Sequence, residues 1–136
     1  MATLKPFIIS EDSRAQADFY IGALGGQIQS IMTHDQAPES NDAMKDNAMK
    51  DKVMHMCFDA GGVNFFMADA FGPLTRGNGF SLNMEFESAA EGRAAFDNLV
   101  AGGNVIQPLE PVFWGGMYGQ LEDKYGVYWM ISCGAE

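Results

Sequence analysis

Phe113-Trp114-Gly115-Gly116-Met117-Tyr118-Gly119, and then Asp123-Lys124-Tyr125-Gly126-Val127-Tyr128-Trp129-Met130-Ile131, read as two β-strands around a tight turn, unusually rich in large aromatics. The stretch has an echo. Asp59-Ala60-Gly61-Gly62-Val63 shares Asp-x-x-Gly-Val with it, 64 positions earlier. The helical segments repeat too: Phe19 is followed six residues later by Gly25-Gly26, and Phe96 six later by Gly102-Gly103, an offset of 77. Two motifs duplicated in the same order argue for one small unit written twice. The first copy is longer by the difference between those offsets, and the excess sits in His34 to Lys52. Within that polar stretch Ala-Met-Lys-Asp occurs at 43–46 and again at 48–51. This loop is expected to be mobile, with Met44 and Met49 available to cover a pocket or a partner subunit.

Each copy reads β-α-β-β-β. Pro6-Phe7-Ile8-Ile9 is a short strand with proline at its edge, where no ladder N–H is needed. Ser13-x-x-Gln16 matches a capping box, and Ala17, Tyr20, Ile21 and Leu24 follow at helical spacing up to Gly25-Gly26. Gln27 to Thr33 alternates as a strand, and Val53–Phe58 and Val63–Ala68 flank the Asp-Ala-Gly-Gly turn as a hairpin. After a Gly- and Pro-containing linker at 72–79, Phe80–Glu87 is a strand and Ser88-x-x-Glu91 caps a helix bearing Phe96, Leu99 and Val100. Val105–Leu109, Tyr118–Glu122 and Val127–Cys133 complete the second copy. The expected organisation is a first module at 1–71, carrying the 34–52 insertion, and a second at 80–136. A single such unit has one bare apolar sheet face, so two must pair, within or between chains.

Composition narrows the function classes. The 136 residues are 47% hydrophobic, enough for a sizeable core. No apolar run approaches the roughly 20 residues of a membrane span, and no signal-peptide pattern opens the chain. Eighteen acids against eight bases give a formal charge of −10, a field that repels phosphate backbones, so nucleic acid is not an expected partner. Two cysteines, Cys57 and Cys133, do not make a disulfide framework, which points to a reducing cytoplasm.

Several residues together resemble the vicinal oxygen chelate superfamily, the glyoxalase and bleomycin-resistance fold, and within it the PhnB-like branch. They are His55, Met67-Ala68-Asp69-Ala70, Gly79-Phe80-Ser81-Leu82, Phe96-Asp97-Asn98-Leu99, Phe113-Trp114, Tyr118-Gly119 and Asp123-x-x-Gly126-Val127-x-Trp129-Met130-Ile131. The resemblance implies an α+β fold of two βαβββ modules, a glyoxalase/dihydroxybiphenyl-dioxygenase-like pair of half-barrels, often completed as a homodimer, with the functional site in the cup. It also implies a divalent metal held from the first and last strands of each module. Those positions fall at Leu4 or Lys5, Met67, Ser81 or Leu82, and Ile131, none of which is a usual ligand. No metal ligand is therefore assigned and no cofactor is expected, with a divalent metal at a relocated site as the alternative. Some members of the branch carry a demethylubiquinone methyltransferase label. Here no Gly-x-Gly-x-x-Gly cradle supports methyl transfer.

The leading expectation is a small-molecule-binding protein whose guest lies in an aromatic cup. Candidate ligand-binding residues are Phe7, His55, Asp69, Phe113, Trp114, Tyr118 and Trp129. His55 is also the candidate catalytic residue, because a neutral imidazole can act as base, donor or metal ligand. Against these stand the plain readings: a core histidine, core-filling aromatics, and Asp59 and Asp123 as turn caps. His34, opening the polar loop, is expected to be solvated. A Cys57–His55 pair on one strand face is conceivable, though inert thiols are the simpler reading. The rival is a metal-dependent or His-assisted enzyme of lyase, isomerase or oxygenase type, using His55 with Asp69 or Glu122. A third reading makes the aromatic cup a dimer interface with no pocket.

Overall fold

A computed structural model describes residues 1–36 and 51–135; the methionines of the polar loop, Met44 and Met49, lie outside them. The chain divides into two compact units, Met1–Leu74 and Thr75–Glu136. The first runs β1 (Phe7–Ser10), α1 (Ser13–Leu24), β2 (Gly26–Thr33), a 3₁₀ turn (His34–Gln36), β3 (Val53–Ala60) and β4 (Val63–Asp69). The second runs β5 (Leu82–Glu85), α2 (Ala89–Val100), β6 (Asn104–Pro111), β7 (Met117–Glu122) and β8 (Tyr128–Cys133). Both units are βαβββ, and the fold is α+β with two four-stranded mixed sheets. Strand orders are β1-β4-β3-β2 and β5-β8-β7-β6. In each, the first strand runs parallel to the last and the remaining pairs are antiparallel.

Local chemistry sets these elements. Ala60 pairs with Val63 across Gly61-Gly62, whose φ values are 62° and 80°. Two positive-φ residues between paired strands twist with the hairpin, and glycine takes that conformation without a Cβ clash. The second helix starts as its sequence predicts: the Ser88 hydroxyl accepts from Glu91 N–H at 3.1 Å and donates to the Glu91 carboxylate at 3.0 Å. The first starts one residue before the expected Ser13. Asp12 is the cap and accepts from Ala15 N–H at 3.1 Å, while Ser13 and Gln16 face the core. A first-turn Ser three residues before Gln looks like a capping box in sequence, but the stronger acceptor beside it wins. β5 is also shorter than expected, and Phe80 lies outside it, exposed.

The cores follow from alternation. In the first unit Met56, Phe58, Phe65 and Met67 turn to α1 and are buried with Ala17 and Tyr20. Phe58 stacks on Phe65 at 5.1 Å, and Tyr20 lies over both at 6.5 and 6.3 Å. Each such side chain contributes about 1.5–3 kcal/mol by leaving water. In the second unit Phe96 and Leu99 cover Leu121, Trp129 and Ile131. The helix can sit that low because position 92 lacks a Cβ: one added there would meet Cys133 Sγ at 2.5 Å. Among the described residues no helix is long and apolar enough to cross a membrane.

Candidate functional site

The face of the first sheet turned away from α1 carries two of the candidate residues, Phe7 and His55. Register fixes its members: Phe7 pairs with Phe66, Ile9 with Ala68, and Met32 with His55, while alternate residues point to the helix. Phe7 remains 51% exposed although it meets Phe66 edge-on at 6.2 Å. The His55 imidazole, partly exposed, lies 6.0 Å from the Phe7 ring and 5.0 Å from Phe66. These are ring contacts; among the described residues the His55 side chain makes no hydrogen bond. Lys5 Nζ stands 5.1 Å from the centre of the Phe66 ring, within cation–π range. The result is a small aromatic floor with one imidazole whose nitrogens have no hydrogen-bond partner among the described residues.

The same face leads to a pocket of about 330 Å³. Ile9, Val53 and Ala68 form its sheet side, and His34, Asp69 and the segment Ala70–Leu74 enclose it. His34 corrects an expectation: it is buried, not solvated, at 9% exposure. Its N–H donates to Lys52 C=O at 3.1 Å, which folds the 3₁₀ turn inward, and its ring packs on Phe71 at 5.2 Å. Polar flanking residues hid this burial in the sequence.

Asp69 ties three elements together. Its Oδ1 accepts from Ser13 N–H at 2.9 Å and its Oδ2 from Val53 N–H at 2.7 Å. Burial of the carboxyl favours its neutral form, but the groups around it win and hold its pKa below the usual aspartate value. They are the Ser13 side chain, the Val53 and Ser13 N–H groups and the charge of Lys52. The Ser13 hydroxyl makes no hydrogen bond of ordinary geometry, so its contribution is that of a nearby dipole. With both oxygens on backbone donors, Asp69 is a structural staple at the pocket wall and is poorly placed to act as a base.

The remaining candidates lie in the second unit. Trp129 is fully buried, and its indole N–H donates to Asp123 Oδ2 at 2.9 Å. Asp123 is itself buried, and its Oδ1 accepts from Tyr125 and Val127 N–H at 2.8 and 3.1 Å. That aspartate is thus a turn cap and also a core anchor. The repeat held the signal, since the offset of 64 pairs Trp129 with Phe65, another residue under its helix. Phe113 and Trp114 sit on the β6–β7 turn, 98% and 65% exposed, edge to face at 4.9 Å. Tyr118 lies 6.2 Å from Trp114, and its phenol oxygen accepts from Gln120 at 2.6 Å. Cys57 is contacted by Asn64 Nδ2 at 3.2 Å; Cys133 is buried, and neither cysteine is in a disulfide.

A family model for the Glyoxalase/Bleomycin resistance protein/Dioxygenase superfamily matches residues 4–131. The chain belongs to this superfamily. Protein YjdN of Escherichia coli K12 is similar at 27% identity over 122 residues, 84% of this chain and 82% of that protein. The crystal structure of protein PA1353 from Pseudomonas aeruginosa shares 29% identity, covers 100% of both chains and superposes with a TM-score of 0.82. The PhnB protein of Bacillus cereus, for which a 3-demethylubiquinone-9 3-methyltransferase identity has been suggested, shares 23% identity. It covers 98% of this chain and 100% of its own with a TM-score of 0.78, a likeness of fold.

Superfamily membership makes the metal question concrete. Met67 and Ile131 are fully buried on the helix sides of their sheets, so the expected last-strand positions are out of register by one. The residues beside them on the open faces are Phe66 and Ala68 in one unit, Met130 and Ser132 in the other. Their first-strand neighbours are Phe7 and Ile9, and Asn83 and Glu85. One carboxylate in that set does not make a divalent site. Among the described residues no group of three or more His, Cys, Asp or Glu is placed to hold a metal ion.

Proposed function

We propose that this superfamily member is a small-molecule-binding protein whose guest lies on the aromatic open face of the first sheet. The observation that carries the reading is the Phe7–His55–Phe66 floor leading to a pocket. Apolar and aromatic contact area with a small number of polar groups is the usual make-up of a ligand site. In this role Phe7 and Phe66 supply flat contact area, and His55 offers one nitrogen as donor and the other as acceptor to a polar group of the guest. The imidazole has no carboxylate orienting it among the described residues, which favours binding over general-base chemistry. Asp69 is held by backbone donors, and Glu122 belongs to the second unit. The methyltransferase suggestion attached to the Bacillus cereus protein is not adopted, because the chain has no Gly-x-Gly-x-x-Gly cradle.

Two further parts of the proposal concern setting. A homodimer is supported by the exposed Phe113–Trp114 pair, and a reducing cytoplasm by two cysteines that are not joined in a disulfide. The deciding experiment is a thermal-shift screen of metabolites and metals on untagged protein, since a guest that binds only the native state raises Tm by mass action. Hits should lose their shift in Phe7→Ala and His55→Ala. A screen without hits, or hits indifferent to both substitutions, removes the reading. A stoichiometric divalent ion lost on His55→Ala would replace it with a metal enzyme.

A further inference from the structure

We propose that the pocket takes a neutral, flat aromatic compound of one or two fused rings, held between the sheet side (Ile9, Val53, Ala68) and the rings of His34 and Phe71. The inference goes beyond the small-molecule reading above: it concerns the adjoining pocket, which Phe7, His55 and Phe66 do not line, and the chemistry of a guest there. Size comes first. About 330 Å³ is at the bottom of the range for ligand pockets and matches one or two fused rings better than a larger compound.

Shape follows from the walls. Ile9, Val53 and Ala68 present a flat pleated surface on one side, and His34 and Phe71 meet at 55° with ring centres 5.2 Å apart on another. Rings in that tilted relation leave a face and an edge for a third ring, the arrangement aromatic groups prefer. His34 is buried while Phe71 is 66% exposed, so one wall is fixed by the fold and the other is a large apolar ring left uncovered. An exposed ring beside a cavity gains most from a guest that covers it.

Charge decides the rest. Among the described residues no Lys or Arg lines the pocket, so a carboxylate or phosphate would meet no cationic partner there. The one acidic wall residue among those described, Asp69, accepts from backbone N–H groups with both oxygens and feels the charge of Lys52, leaving little net attraction for a cation to offset its own desolvation. A neutral ring is what remains.

Three probes of nearly equal size separate the possibilities: 2-naphthol, 2-naphthoate and N-methylquinolinium, each titrated into the full chain at pH 7 and followed by calorimetry and by the His34 ring resonances. The expected result is that 2-naphthol binds at least about tenfold tighter than either ion and shifts the His34 signals. Phe71→Ala, at a largely exposed position, should weaken it by about two- to tenfold. Equal or tighter binding of either ion overturns the proposal, as does absence of 2-naphthol binding. So does binding that leaves His34 unmoved and ignores Phe71→Ala. None of these outcomes touches the broader reading, which the metabolite screen and its His55 dependence decide separately.

Discussion

Asp69 and Cys133 occupy equivalent places, 64 positions apart at the ends of the last strands, and fasten the two helices by different chemistry. Asp69 does so with charge-assisted hydrogen bonds to Ser13 and Val53, Cys133 by close packing against Gly92. The pKa of Asp69 is lowered in the fold, so its ionised form adds stability above the unfolded value near 4 that is lost as pH falls through the folded value. Asp69→Asn should cost about 1–2 kcal/mol at neutral pH. The gap in Tm between wild type and variant should close as pH falls below about 4. A gap of constant size from pH 7 to pH 3 would show that the staple is not electrostatic. Asp123→Ala leaves the Trp129 indole and two turn N–H groups without their acceptor, and about 2–3 kcal/mol of destabilisation should appear in urea unfolding.

The two helices give one substitution opposite signs. Gly22 in α1 has open space where a Cβ would go, so Gly22→Ala should stabilise by roughly 0.5–1 kcal/mol through helix propensity. In α2 the Gly92→Ala methyl would meet both Sγ and Cβ of Cys133 within 2.6 Å, and overpacking should outweigh propensity by about 1–3 kcal/mol. Denaturant midpoints of the two variants moving in the same direction would contradict this packing account. Element order was legible in sequence because alternation, helical spacing and Gly-Gly stops all agree in both copies. What stayed hidden depended on direction. Asp12 and Ser13 are both good caps, and only the fold shows that Ser13 faces inward. Met67 and Ile131 needed the sheet face as well as the strand, and a slip of one residue reverses it. An aromatic count made Phe113, Trp114 and Trp129 look alike, whereas two stand in water and one is sealed under a helix. Of the pocket, Asp69 was singled out in sequence but His34 was not, since nothing local marks a histidine that a 3₁₀ turn folds inward.

At the scale of the whole chain the charge of −10 works against compactness. Raising salt from about 10 mM to about 150 mM shortens the Debye length from roughly 30 Å to 8 Å, and Tm should climb by a few degrees. A flat or falling curve would mean that attractive ion pairs outweigh the repulsion. Light scattering should give twice the 14.8 kDa chain mass if the proposed homodimer forms, and the single mass would dismiss it. The chain's two tryptophans also occupy opposite surroundings, Trp114 in solvent and Trp129 sealed beside a carboxylate. Emission from Trp114 will be quenched by added iodide while Trp129 stays dark to the quencher until its unit melts. The molecule therefore carries two built-in optical probes, one for events at its rim and one for the integrity of its second core.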